Sequence, residues 1–192
     1  GSFAFWGCDS LTTITIPGSV TSIGESAFGN CDNLASITIP NGVTSLGRVA
    51  FYGCTSLTNI TIPGSVKSLE DTFIGCTALT SIAIPDGVTD LDYTFGNCAS
   101  LTSITLPATV SYIGEMAFAY TDIASVKFPA AVTFIGAAAF YGVDELTTVT
   151  FEGGKESLTL GGTGASGTNI KNAGVFYGTS LTKVDLPANI AV

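Results

Sequence analysis

Three residue types recur in a single phase along this chain of 192 residues. Proline stands at 17, 40, 63, 85, 107 and 129 and then not until 187, and cysteine at 8, 31, 54, 76 and 98. Phenylalanine recurs at 5, 28, 51, 73, 95, 118, 140 and 176. The steps are 22 or 23 residues until the last interval. A fixed period of this length means one supersecondary unit stacked on copies of itself, because no such unit can bury its own apolar face alone.

In register, the unit reads Leu-x-x-Ile-x-Ile-Pro, then Val-x-x-Ile/Leu, then Ala/Thr-Phe-x-x-Cys. Thr13-Ile14-Thr15-Ile16 alternates polar and apolar with a period of two and is rich in β-branched residues, the pattern of a short half-buried strand. Pro17 lacks an N–H and ends the ladder. Pro17-Gly18-Ser19, Asn41-Gly42, Pro63-Gly64-Ser65 and Asp86-Gly87 supply turns. The spacing predicts a mostly β solenoid: a right-handed superhelix of about eight coils with one parallel β-sheet, coils of 22–23 residues, and strands ~4.8 Å apart. Leu11, Ile14, Ile16, Val20, Ile23, Ala27 and Phe28 and their equivalents point inward. The whole of 1–192 forms one such domain. The interval from Leu146 to Leu181 is 35 residues, which places an insertion around 153–172 that contains the glycine-rich stretch 161–167. Neither end shows a recognisable cap, so the sequence reads as a slice of a longer array.

A unit of 22–23 residues with Leu-x-x-Ile-x-Ile at its head falls within the range of leucine-rich repeats. The run Ile-x-Ile-Pro-x-x-Val-x-x-Ile-Gly-x-x-Ala-Phe-x-x-Cys, intact from Ile14 to Cys31, resembles the BspA-like class of that family. The resemblance covers nearly all of the chain outside the insertion. It implies an extracellular or cell-surface protein that recognises a host or microbial surface protein or a glycan. The alternative is a structural spacer in a large surface protein, with no ligand of its own.

Composition narrows the chemistry. Fifteen Asp and Glu against six Lys and Arg give a net charge of −9, which repels phosphate backbones and argues against a nucleic-acid partner. No apolar run approaches the ~20 residues that span a bilayer, so no membrane insertion is expected of this segment. The chain has no histidine, which removes the commonest general base and the usual Ser-His and Cys-His pairs. No catalytic residue, cofactor or resident metal is expected. The glycine-rich stretch lacks the Gly-Lys-Ser/Thr ending of a phosphate loop and reads as a flexible loop.

Other features have plain and sharper readings. The five cysteines share one inward slot and read as buried free thiols, with inter-coil disulfides or a metal as alternatives. Glu70, Asp71, Asp86, Asp90 and Asp92 read as a solvated acidic edge, with calcium binding as the alternative. Glu25 and Arg48 occupy matching positions and are expected to pair. The outward Thr/Ser positions of the strands reflect β-propensity, although a flat Thr-x-Thr array also resembles ice-binding solenoids. The candidate ligand surface is the column just after the corner phenylalanine: Trp6, Tyr52, Ile74, Tyr141 and Tyr177, with Gly29, Gly96 and Ala119 between them. Exposed Tyr and Trp are enriched in binding hot spots and suit sugars. The competing surface is the hydroxyl-rich concave sheet with Lys127 and Lys183.

Overall fold

A computed structural model describes residues 1–153, 158–161 and 174–185. Among these residues every regular element is a short strand and none is a helix. The Leu-x-x-Ile-x-Ile segments form the expected parallel sheet. Strands β1 (Thr13–Thr15), β3 (Ser36–Thr38) and β5 (Asn59–Thr61) pair in order, with Ile14 opposite Ile37 and Ile37 opposite Ile60. An Ala83–Thr105 bridge continues this face. Strands β8 (Ser125–Phe128), β10 (Thr148–Phe151) and β12 (Lys183–Asp185) then complete it. The middle isoleucine or valine of most strands faces the core while its neighbours stay in solvent, as period-two patterning dictates.

Besides this sheet the structure has a second ladder, built from the Val-x-x-Ile/Leu stretch. β2 (Ser22–Ile23) pairs with β4 (Ser45–Leu46). After an interruption at Leu69, β6 (Asp90–Leu91), β7 (Tyr112–Ile113), β9 (Phe134–Ile135) and β11 (Thr159–Leu160) continue it. Most of the 153–172 insertion lies outside the described residues, but Leu158–Gly161 within it keeps the ladder going. Nine residues separate Phe151 from Leu160, against seven between the equivalent Phe128 and Ile135. Only two of the extra residues therefore precede β11, and the rest fall after Gly161.

The Ala-Phe corner forms the third side. Its alternate N–H groups donate to the next coil, as in Ser26 to Arg48, Phe28 to Ala50 and Asn30 to Tyr52, and those between them close turns within the coil. The corner holds this shape by bending through left-handed backbone at two positions. One is taken by Ser26, Val49, Asp71, Tyr93, Met116 and Ala138; the other by Gly7, Asn30, Gly53, Gly75, Asn97, Tyr120 and Gly142. Inside the corner runs an unbroken column of eight phenylalanines, Phe5, Phe28, Phe51, Phe73, Phe95, Phe118, Phe140 and Phe176, with ring centroids 5.1–5.8 Å apart. From Phe51 to Phe140 the rings are wholly buried. This column fixes one corner of every coil and with it the direction of the residue that follows.

Candidate binding surface

The cysteines lie beside the phenylalanine column and are free: Cys31, Cys54, Cys76 and Cys98 are buried and Cys8 is partly buried. Each buried thiol donates to the preceding coil's phenylalanine carbonyl, Cys31 to Phe5, Cys54 to Phe28, Cys76 to Phe51 and Cys98 to Phe73, at 3.0–3.2 Å. Burial pushes Cys54 and Cys98 up to about 12 and Cys76 well above its ordinary value, so these thiols are poor nucleophiles. Where the cysteine is lost, Thr121 and Thr179 turn their hydroxyls to their own coil's Phe118 and Phe176 carbonyls instead. In the coil of Phe140 the slot holds Val143, buried and without a hydrogen-bonding group, so packing is what the slot's occupants share.

One sequence-based pairing is overturned. Arg48 does not pair with Glu25. Its guanidinium turns to the following coil, where Nε and Nη2 both donate to the Asp71 carboxylate and Nε lies 3.6 Å from Glu70. Glu25 and Asp71 both stand 23 residues from Arg48, and the buried Asp71 offers the better acceptor. Of the other acids in that cluster, Asp90 accepts the Thr89 hydroxyl at 2.5 Å. Asp92 is half-buried, with one carboxylate oxygen, Oδ1, unpartnered. Burial first, and then Asp71 and Glu115 nearby, raise its affinity for a proton above the ordinary carboxylate value. Glu70, Asp90 and Asp92 line an open cavity of about 300 Å³ with Ser68 and Tyr112. Among the described residues no group of His, Cys, Asp or Glu is arranged to hold a metal ion.

The column after the corner phenylalanine separates into two aromatic clusters. Trp6 and Tyr52 are exposed and stacked with centroids 6.5 Å apart. They meet because Gly29 lies between them: a Cβ there would fall 2.2 Å from the Trp6 ring. Phe3 packs edge-on against Trp6. Tyr141 and Tyr177 stack at 5.4 Å, and Tyr120 meets Tyr141 edge-on at 5.3 Å. Ile74 stands apart from both, half-buried, and Gly29, Gly96 and Ala119 are buried in the same column. Tyr120 was not legible as part of this surface, since it sits one residue further on, in a left-handed slot otherwise held by glycine or asparagine. A further pair, exposed Tyr112 and half-buried Phe134, stacks at 4.7 Å on the outer side of the second ladder. On the competing sheet face, Lys127 and Lys183 are each engaged, by Glu152 and Asp185, at 2.9 Å.

A family model described as BspA type Leucine rich repeat region matches residues 1–93 and 71–192 in six copies. The chain belongs to this family. Among solved structures, a leucine-rich repeat protein of Bacteroides ovatus is 32% identical with a TM-score of 0.69, over 85% of this chain and 49% of its own. A leucine rich cell surface protein of Faecalibacterium prausnitzii is 34% identical with a TM-score of 0.60, over 73% of this chain and 48% of its own. The leucine-rich repeat protein of T. pallidum is 27% identical with a TM-score of 0.71, covering 78% and 73%. The BspA-type chain thus spans about half the length of the Bacteroides and Faecalibacterium relatives. No curated protein matches it. No helix among the described residues is long and apolar enough to cross a membrane.

Proposed function

We propose that this BspA-type chain is a non-catalytic recognition module at the cell surface or outside the cell. It would bind a surface protein or glycan through side chains repeated along one corner of the stack. The observation that carries this reading is the pair of aromatic clusters, Trp6–Tyr52 and Tyr120–Tyr141–Tyr177, held on the outside of a rigid phenylalanine column. Rings immobilised by their backbone lose little entropy on binding, and Tyr and Trp are the side chains most often found at energetic hot spots. The description of the Faecalibacterium relative as a cell surface protein supports the location.

An array of extracellular-matrix proteins and glycans, probed with the native chain and with a Tyr52→Ser/Tyr141→Ser variant, tests the proposal. A ligand that the variant loses while keeping its circular dichroism supports the corner surface. A ligand bound equally by both moves the site to the sheet face, and the absence of any ligand returns the spacer reading.

A further inference from the structure

The two aromatic clusters coincide with the two places where this corner edge is acidic. Three exposed carboxylates accompany Tyr120, Tyr141 and Tyr177: Asp122 follows Tyr120 by two residues, and Asp144 and Glu145 follow Tyr141 by three and four. At the other cluster, exposed Asp9 follows Trp6 by three residues and exposed Asp32 follows Gly29, the coil between Trp6 and Tyr52. The coils that separate the clusters lack both features. They carry Ile74 and Gly96 in the aromatic position and Thr77 and Ala99 in the acidic one, while Tyr52's own coil carries Thr55 there, so the acids of that cluster come from the two coils before it. Among the described residues none of these five carboxylates has an ion-pair partner; Arg48, Lys127 and Lys183 are taken by other acids.

An aromatic ring beside an unpaired carboxylate suits a guanidinium or ammonium group, which gains cation–π attraction on one side and a charge-assisted hydrogen bond on the other. We infer that the corner edge docks a basic polypeptide segment, with the Tyr120–Tyr141–Tyr177 cluster as the main contact and the Trp6–Tyr52 cluster as the second. The inference rests on the surface-recognition reading above and names its partner chemistry. Charge decides between partner classes. A chain of net charge −9, with carboxylates on the same edge as its rings, repels sulfated or phosphorylated polymers and attracts arginine- and lysine-rich ones. Tyr52 and Tyr120 are three coils apart, at 5.6–5.8 Å per step of the phenylalanine column. An extended segment of about five residues spans that distance, so one short basic stretch reaches both clusters.

The test is fluorescence anisotropy with a labelled peptide of alternating arginine and glycine, beside serine-glycine and glutamate-glycine controls and a panel of neutral glycans. The arginine peptide alone should bind, and progressively less well as salt is raised. Tyr120→Ser/Tyr141→Ser and Asp122→Asn/Asp144→Asn should each weaken it by about tenfold, the loss expected of two cation–π or two charged contacts. Asp86→Asn/Asp90→Asn removes the same charge away from this edge and should leave affinity unchanged. The carboxylates are exposed, so the asparagine variants carry the test if the serine variant does not fold. No binding of the arginine peptide overturns the inference, as does an equal loss in both asparagine variants, which would mean diffuse attraction only. Neutral glycans bound through the same tyrosines, without the peptide, would overturn it too while leaving surface recognition standing.

Discussion

Removing one ring from the middle of the phenylalanine column should do more than lower stability; it should split the stack. Phe73 is wholly buried, with Phe51 at 5.6 Å on one side and Phe95 at 5.8 Å on the other. Phe73→Ala leaves a cavity of roughly 100 Å³, which at ~24 cal/mol per Å³ costs about 2.4 kcal/mol. The lost transfer energy of the ring adds ~1.5–3 kcal/mol, for a total of about 4–5 kcal/mol. Phe5 has one stacking neighbour, Phe28 at 5.2 Å, and is 38% exposed. Solvent fills the space its ring leaves, so Phe5→Ala should cost only about 1 kcal/mol. In urea the first difference is a midpoint fall of roughly 1.5–2 M, and the second a few tenths. Two probes sharpen the assay. Trp6, the only tryptophan, reports the first coil by fluorescence, and far-ultraviolet circular dichroism reports the whole array. Stacked repeats couple through nearest neighbours, so the Phe73 variant should show separated transitions by the two probes while the parent shows one. Equal losses at Phe5 and Phe73, or coincident transitions in the Phe73 variant, would refute the column as the coupling element.

Other perturbations follow from single observations. A thiol reagent should find at most one reactive group, Cys8, in the native chain and all five after denaturation, because four thiols are buried and hydrogen-bonded. Two disulfides seen by mass spectrometry would contradict this. Asp92 binds its proton more tightly folded than unfolded, so ionisation costs stability as pH rises through its raised value and costs nothing below the ordinary carboxylate range. Asp92→Asn should therefore raise the melting temperature at pH 7, by an increment that vanishes at the acid end; an increment independent of pH would exclude charge as the cause. Gly47→Ala should cost ~1–3 kcal/mol, since its Cβ would stand 2.3 Å from the Glu25 backbone nitrogen. Gly64→Ala, with open space around the new methyl, should be neutral or slightly stabilising by thermal melting.

The period, the strand face and the inward slots were legible because packing dictates residue type there. Ile14, Ile37 and Ile60 fall directly opposite one another, as their spacing requires. Free, packed cysteines were legible for the same reason. The second ladder was not, since strands of two residues such as Ser22–Ile23 are too short to display a period of two. The outward rings were only partly legible. Spacing places Trp6, Tyr52, Tyr141 and Tyr177 in one column, but it takes the folded chain to show that Gly29 lets Trp6 reach Tyr52, or that Tyr120 leans in from the next position to join Tyr141. Arg48 had an acid one coil away in each direction, and burial rather than spacing chose Asp71.

The glycine after the second ladder explains where the regularity of the stack fails. Gly24, Gly47 and Gly136 pack backbone to backbone against the preceding stretch of chain, with no room for a Cβ. Five residues carry the chain from Ile23 to Phe28, Leu46 to Phe51, Ile113 to Phe118 and Ile135 to Phe140. Only four run from Leu69 to Phe73 and from Leu91 to Phe95, where that glycine is missing. The second ladder is interrupted at the first of these short coils, between β4 and β6. The Asp92 carboxylate occupies the space the absent glycine leaves, so near the neighbouring backbone that a Cβ on Gly114 would lie on top of it. The unpartnered Asp92 oxygen, the raised proton affinity of that carboxyl and the acidic cavity beside Tyr112 thus all lie at the two coils that lack this glycine. They mark a local fault in the stack. The corner edge, where every coil keeps its phenylalanine through the same two coils, runs past that fault unbroken.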